Sequence, residues 1–539
     1  MSAMYLLATW VMVVAVSAQS DRFTCTSTVP PNKMTKDSYK VTNLPNETES
    51  LTAALNGQYA GYMPIVTASP GAVAGDGLFF WYFPSMNTSS TDFVVWFNGG
   101  PGCSSLFGSF IENGPVRALA NGTLVVNQNS WHKQANLVYI EQPLGTGWSA
   151  VQNQNSSPMT EYQVGSQMVT FLNGFYSVFP EAKPWNLYLT GESYAGTYIP
   201  YIATAIETCK TLVDGTPINL KGIGIGDGVL NFKIQLTLSS AINMFDYLVQ
   251  TKWFTNDTFR EQVASMAEQC RSVSSNAVLA QIPFECDMFG MINSYVTPRH
   301  SDYGAGNTCL DMYNVDYIVP CGDSVDHYFA SENFLGVYFN TPAFRSAVHV
   351  DPTLQQSITS YTWQECNDIT ITDAGDMASG PSSQTLIPDL ITAGVKVVIF
   401  NGDRDFVINY VGVEECLGNL TWAGNMGFQN DKVPWMVNGV NAGYFWNERG
   451  LTYIRVFDSG HMVPADQPVS GSALLKTLLL PQASATISVA GVGPIAANGA
   501  AGIIVASPKT NSKNSGTTSV VMPFHFGLLL AFLSAVIMF

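Results

Sequence analysis

Apolar residues in this chain gather in short unbroken runs rather than in alternation. Residues 93–97 lead into Asn98-Gly99-Gly100, residues 187–190 into Gly191, and residues 395–400 into Asn401-Gly402; the runs at 137–140 and 453–457 end in the same way. A strand that is apolar at every position has both faces covered, whereas a half-solvated strand alternates. Between these runs the stretch 194–207 reads as helix. The pattern predicts an α/β fold, with a mostly parallel central sheet and helices on both faces. Such folds place ligands beyond the carboxyl ends of the strands, so the glycine turns mark where chemistry belongs.

From about 209 to 321 the strand pattern fades, apart from 220–226, and the stretches 238–249 and 258–269 read as helices. This segment holds Cys209, Cys270, Cys286, Cys309 and Cys321, five of the nine cysteines. It is expected to be a disulfide-bearing helical cap inserted over the sheet. No C-x-x-C spacing occurs, so a disulfide framework is favoured over a metal site.

The two ends have characters of their own. Residues 1–18 form an apolar run closing on Ser17 and Ala18, the pattern of a signal peptide. Sequons at Asn46, Asn87, Asn121, Asn155, Asn256 and Asn419 point to the same secretory route. A catalytic domain is expected over 19–484, followed by a stalk rich in small residues over 485–514. Asn514, Ser515 and Gly516, a polar spacer and a terminal apolar run match a GPI-attachment signal. Attachment is assigned to Asn514, with Ser515 and Gly516 as alternatives, and 515–539 as the segment removed. A membrane helix is the competing reading, but the run from Phe526 falls short of the roughly 20 residues that a span needs.

Composition narrows the partners. Of 539 residues, 46% are hydrophobic and 12% charged, which suits a large core and excludes general disorder. A net charge of -17 with only 23 Lys and Arg excludes a phosphate-driven nucleic-acid partner.

The sharpest local signal is the string LYLTGESYAGTY over 187–198. It combines a strand, a tight turn with Ser193 at its tip, and a helix, which is the form of a nucleophile elbow. The usual G-x-S-x-G is incomplete, because Ala195 stands where the second glycine is expected and Gly196 follows one residue later. A serine needs a base, and of the six histidines only His461 follows a strand and a glycine turn outside the terminal tail. An orienting acid belongs between serine and histidine in the chain, and Asp403 and Asp405 both stand at the end of the 395–400 run. Asn98-Gly99-Gly100-Pro101-Gly102 offers a backbone able to approach an oxyanion, joined by the N–H of Tyr194. Glu192, beside the nucleophile, and Glu112 could share one proton and so hold an anionic substrate group in acid.

Four motifs then occur together in order: WFNGGPGCSS from Trp96, VYIEQP from Val138, GESYAG from Gly191 and GHMVP from Gly460. They resemble the serine carboxypeptidases over about 52–481, and in particular fungal secreted members with a GPI signal. The resemblance implies an α/β-hydrolase fold and removal of C-terminal residues from peptides and proteins at acid pH, without metal or cofactor. It implies Ser193 as nucleophile, His461 as base, and Asp405 rather than Asp403 as acid. It further implies oxyanion donors at Gly100 and Tyr194, a substrate-carboxylate site of Asn98, Gly99, Glu112 and Glu192, and a disulfide between Cys103 and Cys366.

Overall fold

The structure, a computed structural model, describes residues 23–235 (apart from 26–27, 30–33, 47, 56, 66–74, 150–157 and 159), 261, 265, 308–350 (apart from 321–326), 362–371 (apart from 368 and 370) and 382–480. The signal peptide, the stalk and the GPI signal with Asn514, Ser515 and Gly516 lie outside these residues. So do Asn155, Asn256, Cys270, Cys286, Cys321 and most of the expected cap, including the helix expected at 238–249 and all but Glu261 and Ser265 of that at 258–269.

Ten strands make one sheet: β1 (Tyr59–Pro64), β2 (Gly77–Phe83), β3 (Asp92–Phe97), β4 (Asn136–Glu141), β5 (Asn186–Glu192), β6 (Leu220–Gly226), β7 (Lys396–Gly402), β8 (Val433–Val437), β9 (Val440–Glu448) and β10 (Leu451–Val456). Their order is β1-β2-β4-β3-β5-β6-β7-β10-β9-β8. The six from β4 to β10 in that order are parallel. Antiparallel pairs close both edges. Strand β6 falls inside the segment expected as a cap, so the chain leaves the sheet for that segment only after Gly226.

The unbroken apolar runs are explained by two cores. Phe93, Val95 and Phe97 of β3 point into one core with helices α2 (Glu161–Val178) and α3 (Ala195–Cys209). Val94 and Trp96 point the other way, into a core with α1 (Ser105–Ile111) and α5 (Pro468–Leu479), whereas helix α4 (Tyr410–Asn419) packs Val413 and Leu417 into the first core. With apolar burial worth about 1.5–3 kcal/mol for a large side chain, both faces of each strand contribute. Helix α2 starts at a capping box, in which the Thr160 hydroxyl accepts from Gln163 N–H and the Gln163 side chain accepts from Thr160 N–H. The result is an α/β-hydrolase fold, with the parallel strands all delivering their carboxyl ends to one edge.

Two disulfides lie among the described residues. Cys25 is joined to Cys209 at the end of α3, and Cys103 to Cys366 across 263 residues of sequence. The asparagines of the described sequons, Asn46, Asn87, Asn121 and Asn419, are all exposed.

Candidate active site

Ser193 follows β5 with φ +61°, a left-handed conformation rare for a residue with a side chain. Three backbone hydrogen bonds hold it there: its N–H donates to Gly226 O (3.0 Å), and its carbonyl accepts from Gly196 N–H and Val229 N–H (2.9 Å each). Every other residue from 187 to 203 is buried, while Ser193 keeps partial exposure. The departure from G-x-S-x-G also has a cause. A Cβ on Gly196 would meet Val229 N at 2.6 Å, so the second glycine is needed where the loop after β6 crosses, one residue after Ala195.

His461 lies in the loop after β10. Its N–H donates to Tyr313 O (2.7 Å), its ring packs edge-on against Tyr313, and Nδ1 lies 2.7 Å from Asp405 Oδ2. Asp405 is pinned in turn, because Oδ1 accepts from Val407 N–H (2.8 Å) and Ile408 N–H (3.2 Å). A carboxylate acceptor places the ring proton on Nδ1 and leaves Nε2 with its lone pair free to accept a proton. Asp403 is committed elsewhere, with Oδ2 2.9 Å from Arg404 Nη1. The geometry therefore separates two aspartates that motif reading alone left open.

Asn98 gathers the glutamates. Its Oδ1 accepts from Trp96 Nε1 (2.9 Å) and Gly108 N–H (3.2 Å), which turns Nδ2 toward Glu192 Oε1 (3.1 Å) and Glu112 Oε1 (3.4 Å). Both carboxyls are buried, and the second oxygen of each has no hydrogen-bond partner among the described residues. Burial pushes Glu112 up to about 7, against the opposing hydrogen bonds from Glu192 and Asn98. Burial, then the charge of Glu112, holds Glu192 well above the usual carboxylate range. The pair therefore keeps a proton into neutral solution. Glu192 directly precedes Ser193 in the chain, which puts the pair beside the serine.

The glycine turn after β3 closes on the elbow. A Cβ on Gly99 would stand 2.5 Å from Tyr194 N and 2.7 Å from Ser193 Cβ, so only glycine allows this approach. Gly100 follows at φ +110°. Beyond it Cys103 is bonded to Cys366, and Ser104 N–H donates to Glu365 O (2.6 Å) while Asn367 N–H donates to Gly102 O (2.9 Å). This clasp holds the turn from the far side. Tyr194 is steadied by its hydroxyl, which donates to Glu161 Oε1 (3.0 Å).

Three features escaped the motif reading. Asp227, at φ +42° after β6, groups with Asp405 and His461, with one candidate ligand atom from each lying within 4.8 Å of the others. The Gly226-Asp227-Gly228 turn at a strand end was the available signal. The second is the Tyr313 carbonyl that holds His461. The third is His327, which bridges Asp311 (Nδ1 to Oδ2, 2.6 Å) and Asp466 (Nε2 to Oδ1, 3.2 Å) under the stacked ring of Tyr317. Asp466 also accepts from Gly460 N–H (2.7 Å) and Asn314 Nδ2 (2.8 Å), so this cluster ties the 311–314 segment to the histidine loop.

Residues 47–480 match the family model described as serine carboxypeptidase. The chain belongs to the serine carboxypeptidase family. It is 33% identical over 401 residues to the pheromone-processing carboxypeptidase kex1 of Talaromyces stipitatus, covering 72% of this chain and 62% of that protein. It is 32% identical over 446 residues to the pheromone-processing carboxypeptidase KEX1 of Leptosphaeria maculans, covering 80% and 65%. The chain thus spans somewhat under two thirds of the length of these relatives. Among solved structures it resembles Kex1(delta)p, a prohormone-processing carboxypeptidase from Saccharomyces cerevisiae, with a TM-score of 0.69 and 26% identity, covering 83% of this chain and 96% of that one. For a serine carboxypeptidase fold, the strand ends at β3, β5, β7 and β10 thus carry the groups described above.

Proposed function

We propose that the protein is a serine-type carboxypeptidase that releases the last residue of peptides and proteins through an acyl-enzyme on Ser193. The observation that carries this reading is the buried pair Glu112 and Glu192 on the Asn98 amide, next to the elbow. A serine, histidine and aspartate alone serve many acyl transfers. A proton-sharing carboxyl pair beside them suits one substrate feature, a terminal carboxylate, which it receives through O–H···O⁻ hydrogen bonds together with the amide of Asn98 and the backbone of Gly99.

In this reading His461 Nε2 takes the Ser193 proton as Oγ attacks the last peptide carbonyl. Asp405 stabilises the imidazolium, and the N–H groups of Gly100 and Tyr194 receive the oxyanion. His461 then passes the proton to the departing amine, which leaves as a free amino acid. Water, deprotonated by His461, releases the shortened peptide and restores Ser193. Because the glutamate pair binds only while it holds a proton, activity on peptides is highest in acid to neutral solution and falls as the pair ionises. The processing relatives support peptide substrates. Blocked dipeptides test the reading: the parent releases the terminal residue and Ser193→Ala does not, whereas parent-like release by a folded Ser193→Ala protein overturns it.

The finer placement is an extracellular protein on a GPI anchor, supported by the exposed sequons, the disulfides and the terminal sequence pattern. Among the described residues no helix is long and apolar enough to cross a membrane. Release from intact cells by a phosphatidylinositol-specific phospholipase is the expected result, and retention after treatment counts against the anchor.

A further inference from the structure

Behind the acid of the active site stands a second acid. Asp227 is fully buried at the end of the central strand β6. Its N–H donates to Phe400 O (2.8 Å), and its Oδ1 accepts from Gly402 N–H (2.9 Å) and Asn401 Nδ2 (3.2 Å). Oδ2 is buried with no hydrogen-bond partner among the described residues. The Asp405 carboxylate, an acceptor, stands close to this carboxyl, since Asp227, Asp405 and His461 each present an atom within 4.8 Å of the other two. Two ionised carboxylates cannot share such a dry space without a proton between them.

We propose that Asp227 is a positioning residue that remains a protonated acid and gives its hydrogen bond to Asp405. The proposal rests on the reading of Ser193, His461 and Asp405 as the active site, and adds a fourth group to it. Titratable groups surround Asp227 from the neighbouring strands: Glu192 at the end of β5, Asp405 after β7, His461 after β10, and Tyr453 within β10. Burial first, and the Asp405 charge second, hold the Asp227 carboxyl well above its ordinary range, in keeping with the neutral form.

The consequence concerns proton movement. A neutral Asp227 fixes Asp405 without adding charge, so the imidazolium of His461 is stabilised by one carboxylate and still returns its proton to the leaving group. Ionised Asp227 would set a second negative charge near His461, hold the proton on the ring and push Asp405 off its hydrogen bond. Activity then falls on the alkaline side as Asp227 loses its proton.

The test uses kcat/KM against pH for an ester substrate without a free carboxylate, so that titration of Glu112 and Glu192 in substrate binding does not enter. Asp227→Asn retains an acceptor for Gly402 and a donor for Asp405 but cannot ionise. Its activity in acid should fall by no more than about tenfold, with the alkaline limb moved to higher pH. Asp227→Ser, which also donates and cannot ionise, should shift the limb in the same direction and serves if the asparagine protein fails to fold. Asp227→Ala should lose about ten- to hundredfold in kcat with KM little changed, the loss of one hydrogen bond to a charged group. An alkaline limb that superimposes on the parent's in the folded asparagine or serine variant overturns the proposal. Ser193→Ala in the same assay separates the two questions, because persistent turnover there would instead overturn the active-site reading.

Discussion

Replacing His327 with phenylalanine keeps a ring against Tyr317 and removes the cation between Asp311 and Asp466. Burial opposes charge on His327, but the hydrogen bonds and charges of the two carboxylates outweigh it and raise the imidazole from 6.5 to about 9. At about 1.4 kcal/mol per pH unit, that rise corresponds to about 3 kcal/mol of stability. The side chain is only 15% exposed, so solvent screening removes little of it. The sign follows from linkage: a base whose folded value is raised contributes fully below 6.5 and loses its contribution as pH climbs through about 9. His327→Phe should therefore unfold at markedly lower urea than the parent at pH 6, with the gap narrowing by pH 9.5. Since the cluster also holds Gly460, kcat should drop at pH 6 while KM for an ester changes little. A difference in unfolding free energy that stays constant from pH 6 to 9.5 would refute the reasoning.

Other expectations follow from the same geometry. Glu192→Gln should bind peptides at neutral pH better than the parent does, because the parent's pair ionises as pH rises past the value of about 7 for Glu112; identical profiles of KM against pH would count against a shared proton. Asp405→Asn should lower kcat by about 10⁴ through the wrong tautomer of His461, whereas Asp403→Asn should stay within about tenfold of the parent. Burial raises Glu112, Glu141 and Glu161 to about 7, 7 and 8, so from pH 6.5 to 8 the folded chain holds protons that the unfolded chain has lost. Stability must fall across that window, and a melting temperature that rises from pH 6.5 to 8 would contradict it.

How far the sequence speaks depends on whether the cause is local. The parallel strands were legible because burial on both faces leaves an unbroken apolar run, as at residues 93–97. Ser193 and His461 were legible because a strand followed by a glycine turn is a short-range pattern. Strand β2, Gly77–Phe83, carries the same apolar signal although it pairs antiparallel, while β8 and β9 at the other edge mix exposed and buried positions and give no clear period. The preference for Asp405 over Asp403 depends on which carboxyl the sheet register turns to His461, 56 residues away. His327 is held by Asp466 across 139 residues, and no window of sequence contains both.

The order of the sheet also sets when the proposed site can assemble. Strand β10 pairs with β7 and places His461, while the clasp at Cys103 waits for Cys366. A ribosome that has finished the turn at Ser193 still has about half of the chain to make before His461 exists. On the proposed reading the growing polypeptide carries its serine without a base until β10 is made, because the two groups come from distant parts of the chain.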